Sequence, residues 1–173
     1  MIRITERCAD AGPAQATLSL PFELRRRSRL RCRLEGGEDA ALFLPRGTVL
    51  RDGELLKADN GWIVQVRAAT ETVSCARCSN PLLLARASYH LGNRHVAVQV
   101  GERCLLYLHD HVLDEMVRSL GLTVTVESLP FEPESGAYGG HGHATDDDGH
   151  HDPLHDQKHG HGHLHSHERD HES

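Results

Sequence analysis

Two spacings of apolar residues divide the chain into regions with different predicted structure. Residues 1–72 contain short apolar runs, and no stretch of a dozen residues there keeps a helical period. Glycine-containing turn sequences separate these runs, as they do in β-hairpins. The clearest runs are 16–20, 30–34, 40–44 and 62–66, and the turns are 36–37, 51–53 and 59–61. The pattern predicts a small all-β domain over residues 1–72, either a sandwich or a barrel.

From residue 73 the apolar positions alternate between strand and helix spacing. The predicted elements are a strand at 72–78, a helix at 81–91, strands at 95–100 and 104–108, a second helix with Val112, Leu113, Met116, Val117 and Leu120 on one face, and a last strand at 122–126. The order β-α-β-β-α-β predicts a ferredoxin-like domain over residues 73–135. The expected fold class is therefore α+β.

Residues that begin and end helices support this assignment. Asn80 is the predicted N-cap of the first helix, with Pro81 in the first helical position, and Asp110 is the predicted N-cap of the second. Gly92 and Gly121 are the predicted left-handed residues that end the two helices. The next strand would then begin at His95, so its side chain would project from a backbone fixed on both sides.

Residues 136–173 form a predicted linker and histidine-rich tail. Eleven of the fifteen histidines fall in 141–171, where glycine, aspartate and serine separate them. Such a segment has almost nothing to bury, so we expect it to be disordered without metal. A solubilising polar tail is an alternative, although that role does not require histidine.

Charge and cysteine content narrow the class of protein. Residues 141–173 hold eight acidic and two basic residues, which leaves 17 of each in residues 1–140. We therefore expect no nucleic-acid partner. No apolar run is long enough to span a membrane, and the N-terminus lacks the apolar core of a secretion signal, so we expect a cytoplasmic protein. Five irregularly spaced cysteines favour reduced thiols.

A run of arginines at 25–33 has two main interpretations, and nucleic-acid binding ranks last because no aromatic residues are interleaved with the arginines. In a strand, Arg29, Arg31 and Arg33 would share one face, with Leu30 and Cys32 on the other. The simpler interpretation is a solvated face that resists edge pairing, and the functional one is a docking patch for an acidic protein.

Histidine is the residue type that points to chemistry. Imidazole suits nickel, zinc and copper, so the tail is expected to collect such ions. Its candidate ligands are His141, His143, His150, His151, His155, His159, His161, His163, His165, His167 and His171. In the second domain the candidates are His95, His109 and His111, whereas His90 is interpreted as structural. His95 has too few ligands nearby in sequence, and a two-fold homodimer would supply a second copy.

Other sequence motifs argue against catalysis and a cysteine site. Cys75 and Cys78 lack a second cysteine pair for a zinc site, and positions three apart on a strand face opposite sides. No Walker loop, Gly-x-Ser-x-Gly turn or His-Glu-x-x-His helix is present. We therefore expect no enzymatic activity.

The histidine motifs resemble those of the urease accessory protein E family, the nickel metallochaperones of urease maturation. The matching segments are Tyr89-His90-Leu91-Gly92-Asn93-Arg94-His95, His109-Asp110-His111-Val112-Leu113-Asp114, Leu129-Pro130-Phe131-Glu132-Pro133-Glu134 and Leu44-Pro45-Arg46-Gly47, followed by the histidine-rich end. The family pairs a β domain similar to Hsp40 peptide-binding domains with a ferredoxin-like metal domain that dimerises. Leu108 departs from relatives that extend the histidine cluster there.

The resemblance implies a function for the protein and a metal-binding role for each group of candidate histidines. His95 would bind nickel at the dimer axis, His109 and His111 would be peripheral metal ligands, and the tail would capture or store ions. The implied partners are a second copy, the urease apoenzyme complex and the GTPase of urease maturation. The alternative function is passive storage of nickel, zinc or copper beside a protein-interaction domain.

Overall fold

The computed structural model describes residues 1–9 and 12–135. Within these residues the fold is mixed α and β, rich in strands, with a β domain followed by an α/β domain. The predicted linker and tail, residues 136–173, lie outside the described residues. No helix among the described residues is long and apolar enough to cross a membrane.

The first domain consists of one six-stranded sheet and a single helical turn. Its elements are β1 (Ile2–Arg7), β2 (Ala16–Leu20), α1 (Phe22–Arg25), β3 (Arg29–Arg33), β4 (Asp39–Phe43), β5 (Leu55–Ala58) and β6 (Ile63–Ala68). The strand order is β2-β6-β5-β1-β4-β3, with parallel β1–β4 and β2–β6 pairs. The turn α1 departs from the all-β prediction, because four residues are too few to show a helical period.

This sheet curls around its core. The backbone N–H of Glu35, just after edge strand β3, donates to the carbonyl of Thr17 in the other edge strand, β2, at 2.9 Å. Twelve buried side chains, including Ile4, Leu42 and Val64, fill the interior. The curl brings the two edges together at one point, in keeping with the barrel-like alternative among the predictions.

The second domain has the predicted element order. It consists of β7 (Thr70–Arg77), α2 (Pro81–Gly92), β8 (Gln99–Val100), β9 (Cys104–Leu108), α3 (His111–Ser119) and β10 (Thr123–Pro130). The sheet order is β10-β7-β9-β8, and every pair is antiparallel. Ala87 and Leu91 of α2 and Val117 of α3 share one core with Leu105 and Tyr107 of the sheet. Both helices therefore cover the same face.

The opposite sheet face is closed by aromatic residues from outside the sheet. Val73, Cys75 and Leu106 pack there with Phe22 of α1 and Phe131, which follows β10. The Phe22 and Phe131 rings meet edge to face, with centroids 5.7 Å apart. This cluster fixes α1, and the residues that follow it, against the second domain.

A buried arginine reinforces the same contact. Arg25 is fully buried and donates to the carbonyls of Leu20, Leu50 and Phe131 and to the carboxylate of Glu132. A buried guanidinium is tolerated only when its donors are satisfied in this way. Arg25 therefore has a structural role that the arginine run did not predict, whereas Arg29, Arg31 and Arg33 share the predicted exposed face of β3.

The predicted helix starts are confirmed. The Asn80 side chain accepts hydrogen bonds from the backbone N–H groups of Leu82 and Leu83, and the Asp110 side chain caps α3 in the same way. Gly121 has the expected left-handed backbone, with φ of +97°. The first residues of α3, and with them the loop at His109, are therefore fixed by Asp110.

Two predictions around the end of α2 are wrong. The strand predicted from His95 to Val100 is only Gln99–Val100, because residues 93–95 form a turn and 96–98 have no ladder partner. Gly92 is the last residue of the helix and does not have positive φ; the left-handed residue is His95, with φ of +56°. His95 thus belongs to the turn that ends the helix.

Candidate metal centre

His95 occupies a position that helix ends usually give to glycine. Its N–H donates to the Gly92 carbonyl at 2.9 Å, and the Val96 N–H donates to the Leu91 carbonyl at 3.2 Å. These two bonds, with a left-handed residue between them, constitute a Schellman motif. Val96 also packs against the core that contains Leu91, the apolar contact typical of this motif. The backbone of His95 is therefore held on both sides.

The left-handed conformation of His95 has an energetic cost. For a residue with a side chain it costs of the order of 1 kcal/mol or more, and glycine would avoid that cost. The imidazole nevertheless lies exposed at the surface. Strained backbone beneath an exposed side chain is typical of functional positions, because the surrounding structure must hold it there.

His109 is held through its ring. Its Nδ1 atom lies 3.0 Å from the Ser74 hydroxyl and 3.3 Å from Asp114 Oδ2. Ser74 is fully buried and Asp114 is only 2% exposed, whereas the His109 side chain is 38% exposed. One edge of the ring is therefore fixed against the protein interior, and the rest remains accessible.

Asp114 is the centre of this polar cluster. The Tyr107 hydroxyl donates to Asp114 Oδ1 at 2.8 Å, and Arg118 Nη2 lies 3.7 Å from Oδ2. Burial, together with the hydrogen bond and negative charge of Asp114, raises the pKa of Tyr107, so the phenol keeps its proton and remains a donor. Each Asp114 oxygen therefore faces a different donor side chain.

One cleft brings His95 and His109 together. It has a volume of about 300 Å³, and its lining includes both histidines, Asp110 and Glu23, together with Arg26, whose guanidinium lies 3.3 Å from the Glu23 carboxylate. His95 also borders a larger cleft of about 620 Å³, lined in part by Phe22 and Val49 of the first domain. His95 therefore lies where residues of both domains meet.

The donor types fit a borderline divalent metal, but the described part of one chain does not complete a site. Imidazole nitrogens with carboxylate oxygens suit nickel, zinc or copper. Among residues 1–9 and 12–135, no three His, Cys, Asp or Glu side chains are grouped closely enough to hold an ion. His111, the first residue of α3, is exposed and does not line the cleft of His109. The eleven tail candidates, from His141 to His171, lie outside the described residues.

The two cysteines of the Cys75-x-x-Cys78 sequence face different cores. Cys75 is buried in the cluster with Phe131, and Cys78 packs on the side of the helices. The Cys78 sulfur accepts a hydrogen bond from the Asn80 N–H, 3.3 Å away. Burial raises the pKa of the Cys75 thiol. The prediction that strand geometry separates them is confirmed.

Comparison with known proteins identifies the family. The model of the UreE urease accessory protein N-terminal domain matches residues 2–69, and that of the C-terminal domain matches residues 71–172. Urease accessory protein UreE of Alkalilimnicola ehrlichii is 56% identical over 140 residues, covering 81% of this chain and 86% of that protein. The UreE proteins of Enterobacter sp. (strain 638) and Pseudomonas putida (strain GB-1) are 51% and 52% identical, covering 83% of this chain and 95% and 90% of their own lengths.

The chain belongs to the UreE urease accessory protein family.

In this UreE family member, sequence reasoning missed the residues that support His109. Of these residues, Asp114 is the easiest to find from the sequence. It follows Asp110 by one helical turn and lies in the sequence between the inward-facing Leu113 and Val117. Val112 was assigned to the apolar face but is 60% exposed, so the buried face is rotated toward Asp114. An acidic residue on an apolar helix face indicates a buried partner. Ser74, on a different strand, gives no such signal.

Proposed function

We propose that the chain is a nickel-binding metallochaperone that delivers Ni(II) to apo-urease during assembly of the urease metal centre. The single observation that carries this proposal is His95, an exposed imidazole on a left-handed backbone between two clefts. Membership of the UreE urease accessory protein family supports urease as the recipient. Its place in the family as an accessory protein also fits a role without catalysis of its own.

A homodimer would complete the nickel site. The described residues of one chain lack a group of three ligands, and a second His95 across a two-fold axis would add an equivalent nitrogen. Leu82 and Tyr89, seven residues apart on α2, are 67% and 65% exposed and lie on the same helix face as that spacing requires. These two exposed apolar side chains, with the exposed Arg86 between them on the same face, support contact with a second copy along the helix that leads to His95.

The other histidines would collect and hand over ions. His109 lines the same cleft as His95, and His111 stands exposed at the start of α3, so both suit peripheral ligands. The eleven tail histidines would raise the local nickel concentration. The same donors also accept zinc and copper, so selection for nickel would depend on its supply and on the partner proteins.

Delivery requires that the ion be released. A structural zinc site stabilised by roughly 10–16 kcal/mol retains its metal, whereas micromolar binding corresponds to about −8 kcal/mol and permits exchange. A few imidazole ligands at an exposed interface favour this weaker binding. The proposed partners are the urease apoenzyme complex, which receives the ion, and the urease-maturation GTPase.

The test replaces His95 with alanine in the full-length chain and measures urease activation at limiting nickel. We expect activation to fall at least tenfold, because the tail still binds nickel but the transfer site is lost. His90→Ala is the matched control: it removes an imidazole from the last turn of α2, only five residues earlier, and should leave activation unchanged.

The alternative function, passive metal storage, predicts a different result. If stored nickel alone supported urease, both variants would activate urease like the wild type, because each keeps all eleven tail histidines. That outcome would refute delivery through His95.

A further inference from the structure

We propose that Asp114 is a positioning residue for metal binding, whose carboxylate fixes the proton of His109 on Nδ1 and leaves Nε2 as the metal-binding nitrogen. The inference rests on the proposed function only in treating His109 as a metal ligand. It assigns a role to a buried acid, Asp114, and to the two hydroxyl groups around it. Asp114 itself would not touch the ion.

The first step concerns the charge that faces Nδ1. Asp114 Oδ2 lies 3.3 Å from this nitrogen and, as a carboxylate, can only accept a hydrogen bond. A neutral imidazole with its lone pair on Nδ1 would place two acceptors against each other in a buried site. The favoured neutral form therefore carries hydrogen on Nδ1, and the lone pair lies on Nε2.

The second step concerns the hydroxyl groups. Ser74 Oγ, 3.0 Å from Nδ1, can accept from the Nδ1–H group. Ser74 pairs directly with Tyr107 across β7 and β9, and the Tyr107 hydroxyl donates to the other Asp114 oxygen. With Nδ1 as a donor, the Ser74 hydroxyl oxygen and the Asp114 carboxylate both have an imidazole N–H group to accept from. The opposite tautomer would leave Oδ2 without the imidazole donor, facing only Arg118 Nη2 at 3.7 Å.

The third step concerns Nε2. This nitrogen has no hydrogen-bond partner among residues 1–9 and 12–135, and the accessible part of the His109 ring lines the cleft shared with His95. Histidines that bind metal through one nitrogen commonly donate the other N–H group to a carboxylate, which orients the ring and raises its basicity. Here the hydrogen bond of His109 Nδ1 is to Ser74 Oγ, at 3.0 Å, and the Asp114 carboxylate lies beside it, 3.3 Å from the same nitrogen.

The primary test reads the tautomer directly in the full-length protein. Long-range ¹H–¹⁵N spectra of histidine-labelled protein distinguish the two nitrogens, and His109→Gln identifies the His109 signals by difference. We expect neutral His109 to carry hydrogen on Nδ1 without added metal. Wild-type protein with the hydrogen on Nε2 would overturn the inference before any other variant is made.

The second test changes the acceptor. Asp114→Asn has nearly the same shape but turns an amide N–H toward Nδ1, so we expect the hydrogen to move to Nε2. Asp110→Asn is the matched control: it also converts an acid beside His109 to an amide, but asparagine caps a helix equally well. In this control, and in Ser74→Ala, His109 should keep the tautomer of the wild type. A tautomer that changes in Ser74→Ala but not in Asp114→Asn would assign the role to Ser74 and refute it for Asp114.

Metal binding is then measured at the same atoms. The probe is zinc, which is diamagnetic. It is added in a buffer that fixes the free zinc concentration, so zinc bound by the tail histidines does not alter the midpoint of binding at His109. In the wild type the His109 Nε2 signal should shift when zinc binds. In Asp114→Asn the free zinc concentration at which half of His109 is bound should rise about 10–100-fold. An unchanged midpoint, or a shift at Nδ1, would overturn the inference. Because the readout is at His109, neither result depends on urease activation through His95.

Discussion

His95 and His109 line one cleft, but the protein holds them in opposite ways. At His95 the backbone is constrained by the Schellman turn, and the imidazole is exposed. At His109 the ring itself is held by Ser74 and Asp114. The contrast shows that an imidazole can be preorganised through its main chain or through its side chain, with different consequences for mutation.

The largest expected difference between the two sites is in how much a substitution lowers the free energy of unfolding. Asp114→Ala should lower the free energy of unfolding by about 1–3 kcal/mol, because the buried Tyr107 hydroxyl loses its acceptor. His95→Ala, an exposed position with the same backbone cost, should change it by less than about 0.5 kcal/mol. Urea denaturation of the full chain measures both, and equal losses would contradict the contrast.

Removal of the helix N-caps should affect His95 and His109 unequally. Asp110→Ala removes the N-cap of α3 beside His109 and should lower the free energy of unfolding by about 1 kcal/mol. Asn80→Ala removes the equivalent cap of α2, at the end far from His95, with a similar loss. Side-chain NMR signals should show His109 perturbed by the first change and His95 unaffected by the second. Perturbation of His95 by Asn80→Ala would mean that its turn is not held locally.

The smallest effect isolates the cost of the left-handed backbone. His95→Gly should be about 0.5–1 kcal/mol more stable to unfolding than His95→Ala, although neither has an imidazole, because only alanine retains a Cβ at positive φ. Thermal and urea unfolding of the pair provide the measurement. Greater stability of the alanine variant would show that the turn is not left-handed in solution.

The sequence predicted those features that depend on local chemistry. Asn80, Pro81 and Asp110 marked the helix starts correctly, since caps act on backbone groups two or three residues away. The alternation of strand and helix periods was sufficient for the element order of the second domain. Its six strand and helix segments differ from the prediction mainly in length.

Features set by distant residues were missed. Gly92 looked like the left-handed helix end because glycine is the usual choice, yet the packing of Val96 against Leu91 extends the turn to His95. Arg25 looked like part of a solvated arginine run, but its burial depends on the Phe131 carbonyl and Glu132, more than a hundred residues later. The ligand roles of His95, His109 and His111 stay predictions, and those of the tail lie outside the described residues.

The most direct measurement of the central claim is native mass spectrometry of residues 1–140, which lack the eleven tail histidines, with half an equivalent of nickel per chain. Two His95 side chains sharing one ion predict a dimer that carries a single nickel, and the same dimer without that preferred ion in His95→Ala. A wild-type protein that stays monomeric with nickel, or a His95→Ala dimer that holds one ion equally well, would contradict the shared site.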